Sequence, residues 1–155
     1  MLGAHVTGVD NAAKQEFMYS IGADQVIDYK TEKFTRRKEQ FDLILDMIAH
    51  HSAFSYLRPL RPGGRYFMVG GSFFSMIQAF LLGPVLHRAT NKRVGVLAVP
   101  QNRKDLGDIT DLCVSGKIRP IIDRIFTLDE TPKAMEHVHS GQSKGKVVIR
   151  VEDAA

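Results

Sequence analysis

The chain has 155 residues, with 21 basic against 17 acidic side chains, a formal net charge of +4, 44% apolar residues and one cysteine. These totals exclude a disordered polymer and a disulfide scaffold, and they fit a single globular domain that buries roughly two-thirds of its unfolded surface. Basic residues are interleaved with acids, which argues against a nucleic-acid partner, and no apolar run is long and unbroken enough to span a bilayer, which argues against a membrane one. Residues 1–6 lack the basic flank and apolar core of a signal peptide, so a cytoplasmic protein is expected.

A β-rich segment at residues 4–10 comes first. Asp10 or Asn11 is placed to cap a helix over residues 12–21, which stops at Gly22, a residue suited to the left-handed position after a helix. Val26-Ile27-Asp28-Tyr29 is the next strand, and the polar stretch 31–40 leads to Phe41-Asp42-Leu43-Ile44-Leu45-Asp46. That run, a helix over residues 52–60 and a strand over 66–69, entered through Pro62-Gly63-Gly64, make one βαβ unit. Apolar runs without alternation suit strands buried on both faces. The apolar tract 73–86 reads as a buried helix or a subunit contact. A strand over 93–99 and a helix capped by Asn102 and closed at Ser115-Gly116 come next. A strand over 121–126, a helix from Thr131-Pro132 to His139 and a strand over 145–151 complete the chain.

Strands alternating with helices predict an α/β fold, a doubly wound, mostly parallel sheet with its ligand along the carboxyl edge. That edge carries Asp10, Tyr29, Met47, Ile48, Ala49, Val69, Gly70 and Gly71. Asp10 ends a strand before a helix, where an acid either accepts hydrogen bonds from a ribose hydroxyl pair or caps the helix. Lys14, one turn further on, can neutralise a phosphate or stand in solvent, and Tyr29 can hydrogen-bond the same phosphate or be half-buried. Gly63-Gly64 is a turn device, whereas Gly70-Gly71 at the end of a strand would let a cofactor ring approach the backbone. Adjacent His50 and His51 point apart, and His137 and His139, two apart on a helix, share no face. Cys113 reads as a packed thiol. No zinc site and no Ser/His/Asp set is expected.

Taken together, Gly3-Ala4-His5-Val6-Thr7-Gly8-Val9, Gly22-Ala23-Asp24-Gln25-Val26-Ile27-Asp28-Tyr29, Phe41-Asp42-Leu43-Ile44-Leu45-Asp46 and Leu60-Arg61-Pro62-Gly63-Gly64-Arg65 resemble the medium-chain dehydrogenase/reductase superfamily, quinone oxidoreductase branch. The tail adds Gly116-Lys117-Ile118-Arg119-Pro120-Ile121-Ile122-Asp123-Arg124, Ala134 with His137, and Ser140-Gly141 ahead of Gly145-Lys146-Val147-Val148. The resemblance implies a parent enzyme that transfers hydride between NADP or NAD and a small-molecule substrate, a quinone, enone or alcohol. It places Asp10, Lys14, Tyr29, Ile48, Val69, Gly70 and Gly71 at the cofactor. Lys14 and Tyr29 match positions that contact the adenosine phosphate of NADP, while a carboxylate at Asp10 favours NAD.

In such enzymes a catalytic domain, a strand and a glycine-rich phosphate loop precede the strand that opens this chain. Residues 1–155 therefore resemble an incomplete NAD(P)-binding Rossmann domain without its first strand and glycine-rich loop, and residues 145–151 match a strand of the parent's catalytic domain. Weak or absent cofactor binding and no activity from the fragment are expected. The sheet is expected to close by pairing residues 4–10 with 43–47, or to be covered by a second copy in a homodimer. Two rival readings are an S-adenosylmethionine-dependent methyltransferase-like domain, suggested by the Phe-Asp-Leu-Ile strand and the Leu-Arg-Pro-Gly-Gly-Arg turn, and a non-catalytic oligomerising fragment.

Overall fold

In the computed structural model, which describes residues 3–49, 51–70, 73–100 and 102–151, strands alternate with helices except at three successive strands, Gln25–Asp28, Phe41–Asp46 and Leu60–Met68, between which lie only 3-10 turns. Their order is β1 (Thr7–Asp10), α1 (Gln15–Ser20), β2 (Gln25–Asp28), β3 (Phe41–Asp46), β4 (Leu60–Met68), α2 (Phe73–Thr90), β5 (Arg93–Val96), α3 (Arg103–Val114), β6 (Ile122–Thr127), α4 (Thr131–His139) and β7 (Lys146–Arg150). Strands pair as β1 with β2, as β3-β4-β5, and as β6 with β7. The β3–β4, β4–β5 and β6–β7 ladders are all parallel. Parallel ladders, with α2 crossing from β4 to β5 and α4 from β6 to β7, define a Rossmann-like α/β fold. The chain divides into two compact units, one built from Val9–Asn11 and Ile27–Pro100, the other from the described residues of Met1–Gly8, Ala12–Val26 and Gln101–Ala155.

In the first unit the register sets Ile44 beside Tyr66 and Val94, and Asp46 beside Met68 and Val96. Side chains alternate across a strand, so these residues share one face. There Tyr66, Met68 and Val94 join Ala49, Tyr56 and Leu60 in the core, with Phe34, Leu57 and Leu86 packed around them. The helix α2 approaches β5 closely at Gly83, where a Cβ would stand 2.6 Å from the Val94 carbonyl. The opposite face is different. It carries Leu43, Leu45, Phe67 and Leu97, and Leu43 and Leu45 are 51% and 53% exposed. Burial on both faces, expected from the apolar runs, is found on one.

Three further expectations are corrected. The helix over residues 52–60 is only a 3-10 turn at Ala53–Tyr56. Pro59 explains this, because its ring disfavours a helical conformation at Arg58 and it has no amide to donate. Pro62-Gly63-Gly64 does not precede β4 but interrupts it. The ladder steps from Phe41 beside Leu60 to Leu43 beside Arg65, so the intervening residues loop out, with Gly63 at φ 80°. Of the two ways foreseen for closing the sheet, the pairing of residues 4–10 with 43–47 is not formed among the described residues, where β1 pairs with β2 and β3 with β4. Each ladder formed in these regions joins strands close in the chain, for which closing the loop costs least.

In the second unit, β6 and β7 align Ile125 with Val148 and Phe126 with Ile149. Their parallel course departs from the antiparallel final strand of methyl-transfer folds. Helix α4 follows a 3-10 turn, Leu128–Glu130, that opens on a capping box of Thr127 and Glu130; α4 itself has Pro132 in its first turn and buries Ala134. Helix α3 starts where the Asn102 side chain accepts the Asp105 amide at 2.8 Å, and Gly116 follows it with φ 71°. Both starts are where the local sequence puts them.

Candidate functional site

Parallel strands release the chain at the same edge, and in the first unit β3 and β4 do so side by side. The Val69 amide donates to the Asp46 carbonyl at 2.8 Å, and the Leu97 amide to the Met68 carbonyl at 2.8 Å. Met47, Ile48 and Val69 are exposed there. A Cβ on Gly70 would lie 2.7 Å from the Met47 carbonyl, so the close approach of the two exit segments itself requires glycine. This edge therefore brings together Ile48, Val69 and Gly70 of the expected set. Gly71 and His50 lie outside the described residues.

Beneath the exit segment sits a group that the sequence reading did not assign. Asp46 Oδ1 accepts the amides of Ile48 at 3.1 Å and Ala49 at 2.8 Å, while Oδ2 accepts the Tyr66 hydroxyl at 3.1 Å. The Tyr56 hydroxyl is a further partner of this carboxylate. The Tyr56 and Tyr66 rings stack with centroids 4.2 Å apart and planes inclined by 18°. Burial is the largest influence on Asp46 and works to raise its pKa. The Tyr56 hydroxyl, the Ala49 and Ile48 amides and the Tyr66 hydroxyl outweigh it and hold the carboxyl below its ordinary value. Burial first, then the neighbouring carboxylate, pushes both phenols well above theirs. The signal for such a group was an acid ending a strand ahead of a short polar break, the setting of an Asx turn.

Asp10 and Tyr29 meet at the end of β1, where the Tyr29 amide donates to the Asp10 carbonyl at 3.2 Å. One Asp10 carboxylate oxygen accepts the Asn11 amide at 2.8 Å and the Asn11 side-chain nitrogen at 3.0 Å, so it organises the turn out of the strand. Tyr29 is exposed. Lys14 is half-buried in a 3-10 turn, Ala12–Lys14, that belongs to the second unit.

A broad groove of about 530 Å³ crosses the open face of the sheet, lined by Leu43, Leu45, Phe67 and Leu97 with Asp42, Gly63 and Arg65. It lies on strand faces and presents mostly aliphatic carbon, so it is an unpartnered packing surface rather than the polar-tipped cleft of a ligand site. In the second unit, His137 Nε2 and Asp123 Oδ2 stand 2.6 Å apart with side chains 12% and 18% exposed. The His137 contact, with the Lys144 amide, holds the Asp123 carboxyl below its usual value and ties α4 to β6.

Among the described residues no three His, Cys, Asp or Glu side chains converge as metal ligands.

The parallel ladders and the shared edge define a Rossmann-like α/β fold, and the comparisons agree. The family model for zinc-binding dehydrogenases matches residues 21–149, and the chain belongs to that family within the medium-chain dehydrogenase/reductase superfamily. Over 96% of its length it is 28% identical to "NAD(P)H oxidoreductase RTN4IP1, mitochondrial" of Danio rerio, covering 43% of that protein. Over 98% it is 25% identical to the trans-enoyl reductase pgmF of Aspergillus terreus, covering 46%. The quinone oxidoreductase of Coxiella burnetii matches it with a TM-score of 0.79 at 25% identity, over 97% of this chain and 46% of its own. The chain thus spans a little under half the length of these relatives. The family's name implies zinc, but the described residues supply no donor set for it, and Cys113 is half-buried on α3.

Proposed function

We propose that this chain is the nucleotide-binding part of an NAD(P)H-dependent oxidoreductase that moves hydride between a nicotinamide and a quinone, enone or alcohol-type substrate. The observation that carries the reading is the edge where β3 and β4 end together, with exposed Met47, Ile48 and Val69 beside a glycine that has no room for a side chain. An uncharged edge with a short residue suits a flat ring and its sugar, and a nicotinamide nucleotide supplies both. When bound, the nicotinamide carries the hydride. The chain's part is to seat and orient it. Asp10 and Tyr29 support a second contact at the adenosine end, and Lys14 is put forward separately as a phosphate partner.

In this reading catalysis belongs to the longer protein, residues 145–151 are a strand of its catalytic domain, and the setting is cytoplasmic. Among the described residues no helix is long and apolar enough to cross a membrane. A second copy covers the open sheet face, giving a homodimer that light scattering would register as a doubled mass.

Calorimetric titration with NADPH, NADH and S-adenosylmethionine tests the reading. Weak binding of one nicotinamide nucleotide, as foreseen without the glycine-rich loop, and none of S-adenosylmethionine is the expected result, and the reverse would overturn the reading. Replacing Asp10→Ser is expected to shift preference toward NADPH, since a carboxylate repels a 2′-phosphate. Unchanged selectivity would remove Asp10 from the site.

A further inference from the structure

We propose that Asp46, Tyr56 and Tyr66 form a positioning centre that locks the exit segment at residues 47–49 in the shape the nucleotide meets. The inference rests on the nucleotide reading above and assigns a role to three residues that do not themselves line the edge.

The argument begins with what the segment needs. Ala49 has φ 55°, a left-handed conformation unfavourable for an ordinary residue, which persists only where its surroundings enforce it. The enforcement is visible. One oxygen of Asp46 holds the Ile48 and Ala49 amides, and the other holds the Tyr66 hydroxyl. The His51 amide is hydrogen-bonded to the Tyr56 side chain, so the grip reaches past the bend. Both phenols are themselves fixed, because their rings stack and are 3% and 0% exposed. The partners of the carboxylate are all uncharged donors, so its placement depends on direction and not on the looser attraction of a cation. Above the lock, the side chains of Met47 and Ile48 project into solvent at the strand end. A segment held so firmly while showing two bare apolar side chains is arranged for a ligand, since preorganisation lowers the ordering cost of binding.

The lock and its consequence are read separately in the full chain. Amide hydrogen exchange reports residues 48 and 49, and NADPH and NADH titrations followed by nuclear magnetic resonance report affinity and the ring signals of labelled tyrosines. In Asp46→Asn, exchange at residues 48 and 49 is expected to rise about tenfold while amides of β4 and β5 keep their protection. Nucleotide affinity is expected to fall about fivefold. Tyr66→Phe removes a single hydroxyl, preserves the stacked ring, and is expected to move both readouts in the same direction by less. In the wild-type chain, nucleotide should also shift the ring signals of Tyr56 and Tyr66, which a merely structural role would leave in place. Unchanged exchange in a folded Asp46→Asn or Tyr66→Phe would overturn the lock. Faster exchange with unaltered affinity would overturn its link to binding. If the wild-type chain bound neither nucleotide, the functional reading and that link would both fall, and the exchange data would still decide the lock.

Discussion

The two faces of the β3-β4-β5 sheet are built from the same strands and both carry large apolar side chains, yet those side chains end in opposite states. On one, Tyr66 and Met68 are enclosed and join Leu60 and Val94 in the core, with Leu86 of α2 packed against them. On the other, Leu43 and Leu45 stand half out in solvent beside Phe67. Burial is a property of the cover and not of the strand. Leu43 and Leu45 are written for a sheet with layers on both sides, and among the described residues of this unit only one layer is present.

Four measurements would break or sharpen that contrast. The largest effect belongs to the enclosed face, where Met68→Ala should cost about 2–5 kcal/mol through lost transfer energy and a cavity, read from urea unfolding. A loss below about 1 kcal/mol would mean the core is looser than its burial implies. Next comes the contact that brings the cover in. Gly83→Val places carbon against the Val94 carbonyl and should destabilise by about 1–3 kcal/mol, because backbone cannot yield as a flexible side chain can.

A third measurement uses acid. The Asp46 carboxyl is held below its ordinary value in the fold, so the unfolded chain binds more protons. Its contribution is complete above the unfolded pKa, near 3.9, and is lost as pH falls through the lower folded value. The urea midpoint should therefore decline toward acid, and the decline should be shallower in Asp46→Asn. An equally steep decline in that variant would assign the acid sensitivity to other carboxylates, such as Asp123. The smallest effect is expected on the open face. Leu43→Thr with Leu45→Thr should change stability by no more than about 0.5 kcal/mol in a dilute monomer. A larger, concentration-dependent loss would show that a second copy covers this face in solution.

Much of the architecture was readable because its signals are local. Asn102 and Gly116 bracket α3, and Thr131 with Pro132 opens α4, since each cap acts within a few residues of itself. The carboxyl edge was equally plain, as parallel strands must end somewhere in common. The misreadings had longer reach. Residues 52–60 looked helical until Pro59 is weighed against them, and the far face of β3 looked buried because an apolar run does not reveal whether a second layer exists. Tyr66 drew no attention because it meets Asp46 only after a parallel register brings positions 20 residues apart into contact, and Tyr56 because it reaches the same carboxylate from a 3-10 turn. The same holds for Asp123 and His137, read apart in the sequence and joined by the packing of α4 on β6.

The Ile48 and Ala49 amides already answer to the Asp46 carboxylate. This corner of the molecule therefore has two fewer donors with which to build an oxyanion cradle. A guest settling on the rim would be recognised by contour and carbon, and its charged diphosphate would have to find its anchorage at some other part of the fold.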